Sequence, residues 1–303
     1  MIISRRAALS AIGAAMAAAG ASRANAQPAG RLYRQVPKSG ERLPIVGLGT
    51  WQAFDIGPRD EDWPQARQAV QLFLAQGGRV IDSSPMYGRA EQAIGALLAA
   101  TPLRSRAFLA TKIWTGDREE GRRQAERSFE LLRTRRIDLL QVHNLLGYDA
   151  HMPLLRRLKE EGRIRYIGAT HYHSGAYDAL ERVIRGGDLD FVQLNYSVAE
   201  REAERRILPL ALESRVAVLV NRPFAGGGVF GRVRARPLPS WAGEIGCSSW
   251  AQLLLKYVLA DSAVSCAIPG TRNPRHIVDN LGAALPPLPD PAMRRRILAA
   301  ALE

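Results

Sequence analysis

Three short segments place a carboxylate, a phenol, an ammonium and an imidazole at comparable positions, each just past a run of apolar residues. They read Val80-Ile81-Asp82-Ser83-Ser84-Pro85-Met86-Tyr87-Gly88, Leu109-Ala110-Thr111-Lys112 and Leu140-Gln141-Val142-His143. If the three runs are neighbouring strands, Asp82, Tyr87, Lys112 and His143 converge at one mouth. A phenol with an ordinary pKa of about 10 is a poor proton donor at neutral pH, but an adjacent ammonium favours the ionised form and lowers that value. A carboxylate would hold the ammonium in place, and an imidazole would hydrogen-bond the oxygen that receives the proton. Such a set is suited to general-acid chemistry at an oxygen. Alone, a buried Asp–Lys pair is more often structural; four such groups at neighbouring strand ends are harder to assign to packing.

The elements that must position these groups follow from the alternation of the chain. Short β-branched or apolar runs begin near Val46, Arg79, Ala107, Asp138, Ile164, Asp190, Val216 and Ala263, and stretches of helical period lie between them. Eight such repeats predict an α/β fold, a (β/α)8 TIM barrel, in which chemistry sits where strands end and βα loops begin. One helix opens at Asp60–Asp62 with Pro64, buries Ala66, Val70, Phe73 and Leu74 on one face, and stops at Gly77-Gly78. Ahead of the first strand, residues 32–36 and 43–45 flank Lys38-Ser39-Gly40, a β-hairpin expected to cap the closed end. The longest interval, between strands seven and eight, must hold an insertion; Trp241 lies in it, without an evident role. No Gly/Ser-rich or Pro-rich linker divides the chain.

Composition bounds the class. Of 303 residues, 47% are hydrophobic and 23% charged, enough apolar content to bury a large core and to exclude a disordered chain. The two cysteines, Cys247 and Cys266, exclude a disulfide framework; one buried and one semi-exposed thiol are expected. No metal site is expected, because His143, His151, His171, His173 and His276 lack ligand spacing with carboxylates or cysteines. Residues 1–26 carry Arg5-Arg6, an alanine-rich apolar run and Ala24-Asn25-Ala26, the pattern of a twin-arginine signal peptide cleaved after Ala26. That reading implies the twin-arginine export machinery as a partner, a periplasmic or otherwise exported location, and one mature domain over residues 27–303. Without Arg5, Arg6 and Arg23 the formal charge of +13 falls to +10. The remaining arginines are spread along helical segments without interleaved aromatics, so solvated faces are expected rather than a nucleic-acid site. No stretch reaches the roughly 20 apolar residues of a membrane span.

The chain resembles the aldo-keto reductase family over residues 31–285. The resemblance rests on Gly47-Leu48-Gly49-Thr50-Trp51, Ile81-Asp82-Ser83 with Tyr87-Gly88 and Glu91, Ala110-Thr111-Lys112, Asp138-Leu139-Leu140-Gln141-Val142-His143, Gln193 with Asn195-Tyr196, and Ile268-Pro269-Gly270-Thr271, all in family order. It implies a barrel that binds a nicotinamide dinucleotide without a Rossmann domain, and the absence of a G-x-G-x-x-G turn agrees with this. By resemblance, Tyr87 protonates a carbonyl oxygen as hydride arrives, His143 orients that oxygen, and Lys112 held by Asp82 tunes the phenol. The implied activity is reduction of small aldehydes or ketones to alcohols, or the reverse.

Cofactor contacts implied by the same resemblance are Thr50, Thr170, His171 and Gln193, where Thr170-His171 replaces the Ser-Asn of many relatives. Asn221, Pro223, Phe224, Gly226 and Gly228 resemble the pyrophosphate loop, with Asn221 standing where an aromatic often stacks on nicotinamide. Gly270, Thr271, Arg272, His276 and Asn280 follow strand eight; an arginine at a helix start suits a 2′-phosphate, so NADPH is expected over NADH. Trp51 and Trp114 are expected to wall an apolar substrate pocket, left open because the chain ends soon after its last helix. Two other readings compete: a nicotinamide-binding sensor or interaction protein with little turnover, and an aldolase with Lys112 as Schiff-base amine, which pairing with Asp82 disfavours.

Overall fold

The computed structural model describes residues 30–302, so the segment read as a signal peptide lies outside the described residues. The chain opens with a two-stranded antiparallel hairpin, β1 (Tyr33–Gln35) and β2 (Arg42–Pro44). Eight parallel strands follow: β3 (Leu48–Gly49), β4 (Val80–Asp82), β5 (Phe108–Ile113), β6 (Ile137–His143), β7 (Ile164–Thr170), β8 (Phe191–Asn195), β9 (Ala217–Asn221) and β10 (Val264–Ala267). Their order in the sheet is their order in the chain. Parallel bridges Val46↔Ala267 and Gly49↔Gly270 join the first strand to the last and close the barrel. The helices are α1 (Trp63–Ala75), α2 (Ala90–Ala99), α3 (Arg118–Leu131), α4 (Tyr148–Glu160), α5 (Tyr177–Arg185), α6 (Ile207–Glu213), α7 (Gly228–Val233), α8 (Trp250–Leu259), α9 (Pro274–Gly282) and α10 (Pro291–Leu302). Every predicted strand is present, and the barrel with its hairpin is the fold the alternation predicts.

Closure depends on two glycines. A Cβ at Gly49 would lie 2.7 Å from the Ile268 carbonyl oxygen, and one at Gly47 would lie 2.9 Å from the Val80 oxygen. Without side chains there, Gly47 and Gly49 donate to the carbonyls of Ala267 and Pro269 at 2.8 and 3.1 Å.

The barrel interior is a filled core at its closed end, as packing of inward side chains in layers requires. Phe108, Tyr166 and Phe191 meet with ring centres 5.2–6.0 Å apart, and Val36 and Leu43 of the hairpin plug the space beneath them. Polar ties seal this end. Glu41 accepts from Arg79, Arg165 and Tyr166 at 3.1, 2.5 and 2.8 Å, and Lys38 donates to the Leu189 carbonyl at 2.6 Å. The hairpin is thus tied to residues on or next to β4, β7 and β8.

The insertion between β9 and β10 contains α7 and a 3-10 turn at Ser240–Ile245. Trp241 in that turn stacks under the Arg296 guanidinium at 4.6 Å, so the insertion packs on α10. Both cysteines are free and buried; the expectation that one would be semi-exposed is corrected, since Cys247 is covered beside α8. No helix among the described residues is long and apolar enough to cross a membrane.

Candidate active site

Strand register places three of the four groups, Asp82, Lys112 and His143, at one mouth. Asp82 pairs with Ala110, Lys112 with Gln141, and His143 with Thr170 on successive strands β4 to β7. Each is at or next to the C-terminal end of its strand, and inward alternation points the side chains to the axis. Lys112 is fully buried and donates to Asp82 Oδ2 at 2.7 Å and to the Ser83 carbonyl at 2.6 Å. The other Asp82 oxygen accepts from Gln141 Nε2 at 3.2 Å. Burial works against the Lys112 charge, but Asp82 and Tyr87 outweigh it and hold the ammonium above its usual range. A protonated, carboxylate-bound amine is a poor Schiff-base nucleophile, which weighs against the aldolase reading.

Tyr87 follows β4 in the loop before α2. Its ring centre is 4.8 Å from Lys112 Nζ, and its edge meets the His143 ring at 5.9 Å between centres. The expected lowering of the phenol pKa is corrected in sign: burial is the largest influence and pushes Tyr87 up, with the Lys112 charge acting against it. Burial, then the Lys112 and His171 charges, pushes His143 down to about 3, so its ring is neutral at physiological pH. Ser84, fully buried, lies 3.0 Å from His143 Nδ1 and accepts from the Met86 N–H at 3.2 Å. Glu91, also buried, accepts from Thr111 Oγ1 at 2.5 Å beside the lysine; burial pushes its carboxyl up.

The residues implied for a dinucleotide line the same rim. Thr50 is buried with its hydroxyl on Ser83 Oγ at 3.0 Å. Thr170 and Gln193 are buried and paired in register, and the Gln193 Oε1 atom has no partner. His171 donates its N–H to the Gln193 carbonyl; its ring Nδ1 accepts from the Tyr172 N–H at 3.0 Å, and burial followed by His173 holds it down to about 4. Asn221 donates to the His171 carbonyl at 2.9 Å, leaving its own Oδ1 buried and unpartnered. Past it, Pro223 is buried, Phe224 packs on Phe230 at 4.8 Å, and Gly226 and Gly227 hold φ values of 66° and 94°. A Cβ at Gly228 would meet nothing within 4 Å.

Unpartnered buried amide oxygens are costly unless a ligand satisfies them. Two such atoms beside an open glycine loop fit a carboxamide-bearing, phosphate-bearing dinucleotide. Thr50, Thr170, His171, Gln193, Asn221, Pro223, Phe224, Gly226 and Gly228 would hold it.

Beyond β10 the arrangement is less free than the sequence suggests. Arg272 is paired with Asp62 at the start of α1 and donates to the Ala53 carbonyl at 3.2 Å, so its guanidinium already straps two loops together. Gly270 and His276 are exposed, with Thr271 Oγ1 and His276 Nδ1 3.4 Å apart, whereas Asn280 is buried in α9. Trp51 and Trp114 are exposed on the loops after β3 and β5, joined by Leu146 and Tyr172 after β6 and β7. Sequence reasoning gave no role to Leu146, Tyr172, Ser84, Gln141, Glu200 and Arg222; the available signal was position, Gln141 inside β6 two residues before His143 and the others in loops past strand ends. Five of the seven non-glycine residues with positive φ among the described residues, Gln52, Asn144, Leu145, Arg222 and Ala225, lie in loops of this mouth. Strained backbone of this kind collects at functional sites.

A closed parallel barrel with an Asp–Lys pair, a phenol and a neutral imidazole at its C-terminal mouth defines a class of barrel proteins that bind and convert small molecules there. Residues 45–296 match the sequence model of the Aldo/keto reductase family, and the chain belongs to that family. It is 27% identical to the aldo-keto reductase YhdN of Bacillus subtilis over 216 residues, 66% of this chain and 64% of that protein. It is 28% identical to the NADH-specific methylglyoxal reductase of Escherichia coli, covering 66% of this chain and 69% of the relative. Among solved structures, an aldo/keto reductase from Klebsiella pneumoniae in complex with NADP and acetate superimposes with a TM-score of 0.71 at 26% identity, covering 85% of this chain and 91% of the other. Another structure of an aldo-keto reductase from Klebsiella pneumoniae, in complex with NADPH, gives a TM-score of 0.73 at 25% identity over 88% of this chain and 94% of the other.

Proposed function

We propose that the chain reduces aldehydes or ketones to alcohols with NADPH, or runs the reverse reaction. The observation that carries this reading is the convergence of Lys112, Asp82, Tyr87 and His143 on one mouth, with Lys112 Nζ 4.8 Å from the Tyr87 ring centre. A bound nicotinamide dinucleotide would supply hydride. Burial keeps the proton on Tyr87 until a substrate oxygen needs it, and the fixed Lys112 charge offsets the phenolate left behind. Neutral His143 donates a hydrogen bond to the same oxygen and orients the carbonyl. Asp82, gripped by Lys112 and Gln141, keeps the cation from moving away. Trp51 and Trp114, with Leu146 and Tyr172, supply an apolar rim for the rest of the substrate.

Tyr87→Phe tests the role directly. Consumption of NADPH with a panel of aldehydes, methylglyoxal included, should fall at least about a thousandfold, while binding followed by nicotinamide fluorescence stays within about twofold. Undiminished turnover would sink the assignment. The Klebsiella neighbours in complex with NADP and NADPH support this choice of cofactor, while the NADH-specific relative points the other way. We assign the preference to Arg272 with His276, a 2′-phosphate taking the place of Asp62 on the Arg272 guanidinium: Arg272→Ala should bring the affinities for NADPH and NADH together, and an unchanged preference would refute that role. One observation favours a second reading, a dinucleotide-binding protein with little turnover: Asn221 stands where the family often has a stacking aromatic. The aldehyde panel separates the two.

We also propose that residues 1–26 direct twin-arginine export and are cleaved after Ala26, leaving one barrel domain over residues 27–303 that is periplasmic or otherwise exported. The support is Arg5-Arg6 ahead of the apolar run and the small residues at the cleavage point. Cell fractionation of the parent and of an Arg5→Lys, Arg6→Lys variant tests it: retention of the variant in the cytoplasm is expected, and equal export of both would overturn the route.

A further inference from the structure

Arg222, between Asn221 and Pro223, is a cation that the reaction as described leaves unused. Its φ of 49° lies in the left-handed region, unfavourable for a long side chain. That backbone turn lays the guanidinium over the glycine loop: a Cβ at Gly226 would come within 3.3 Å of Nη1 and 3.5 Å of Nη2. The side chain is poorly satisfied there. Its one ion-pair contact is to Glu200 Oε1 at 3.4 Å, Nε is buried without a partner, and so is Glu200 Oε2. Arg163 shows what a saturated pair looks like in this protein, with both nitrogens of its fork on Glu126 at 2.8 and 2.7 Å. Across the mouth Arg272 is committed to Asp62, which makes Arg222 the less engaged guanidinium of the two.

We infer that Arg222 is a ligand for the diphosphate of the dinucleotide, and that Glu200 competes with the diphosphate for it. The inference rests on the dinucleotide binding proposed above. A planar guanidinium presents five donors in a fork, and a diphosphate offers paired anionic oxygens that fill it, whereas Glu200 fills one position at a long distance. Release of Glu200 gives up a single contact at 3.4 Å, and the other Glu200 oxygen has no partner to lose.

The two partners make predictions of opposite sign. The full chain is titrated with NADPH, NADH and ADP-ribose, following tryptophan quenching, and the same is done for Arg222→Asn and Glu200→Gln. Asparagine tolerates the left-handed backbone, so the first variant removes the charge without forcing the loop to move. Arg222→Asn should weaken all three ligands about tenfold or more, and Glu200→Gln should tighten them severalfold. Unchanged affinities in Arg222→Asn, a loss confined to NADPH, or weakening in Glu200→Gln would each overturn the inference, the last because it marks a pair that only supports the loop. Failure of the parent chain to bind any of the three would instead bring down the dinucleotide reading itself.

Discussion

Ser84 is the one side chain hydrogen-bonded to the His143 ring among the described residues, and we expect it to select the tautomer. Its oxygen accepts the Met86 N–H at 3.2 Å and lies 3.0 Å from Nδ1; with the serine hydroxyl as donor in that contact, the ring proton is held on Nε2. A neutral Nε2–H is the donor that carbonyl orientation requires, and burial secures neutrality by holding His143 down to about 3. Ser84→Ala leaves Nδ1 without its donor and lets the tautomers mix. We expect kcat/KM to fall about tenfold, the worth of roughly one buried hydrogen bond, with thermal stability little changed and with Ser84→Thr recovering most of the loss. The ring 15N shifts of His143 report the tautomer directly, and a wild-type shift pattern in Ser84→Ala would show that the serine is incidental. The same low pKa predicts that kcat/KM has no inflection from His143 between about pH 5 and 8; an imidazole titrating near 6.5 in that profile, and absent in His143→Gln, would contradict the geometry.

At the scale of elements, barrel closure is the step most exposed to a single methyl group. Gly49→Ala pushes a Cβ onto the Ile268 backbone oxygen, which cannot rotate away, so β3 and β10 must part. A cost of about 1–3 kcal/mol in urea unfolding is expected, typical of overpacking. Thr50 would shift with the strand, so dinucleotide affinity should fall too; full stability of Gly49→Ala would mean that β3 is held by other contacts. The strands were legible because each repeats a local pattern: the run beginning near Ala107 became β5 from Phe108, and that near Asp138 became β6 from Ile137. The convergence of the four groups was legible for the same reason, since Asp82, Lys112 and His143 sit at or next to strand ends and Tyr87 in the loop that follows one. What the sequence hid are pairs distant in the chain, such as Arg272 with Asp62 and Trp241 with Arg296, and the serine beside His143. No periodicity marks such pairs, and a serine after a strand looks like any other loop residue. The sign of the Tyr87 shift was also hidden, because burial is set by tertiary packing and not by the neighbours in the chain.

For the whole molecule, the two ends of the barrel divide stability from chemistry. The closed end is tied down, with Glu41 bound to residues beside β4 and in β7, and the open end keeps a neutral imidazole, that of His143, buried in a basic protein. That arrangement has a cost in acid. The unfolded chain takes up a proton on each histidine as pH falls below about 6.5, while folded His143 stays neutral until about 3. Between those values the unfolded state binds more protons, so stability must fall as pH falls. At about pH 4.5 the contribution of His143 alone is on the order of 2 kcal/mol. His171, held down to about 4 and more open to solvent, adds in the same direction. Urea unfolding at about pH 7 and about pH 4.5 measures this in the parent and in His143→Gln, whose side chain cannot charge. The parent should lose more stability than the variant over that interval, whatever the variant's stability at neutral pH. Parallel losses would mean that the His143 ring reaches solvent and accepts its proton in the folded state, which would also remove the basis for treating it as a fixed neutral donor.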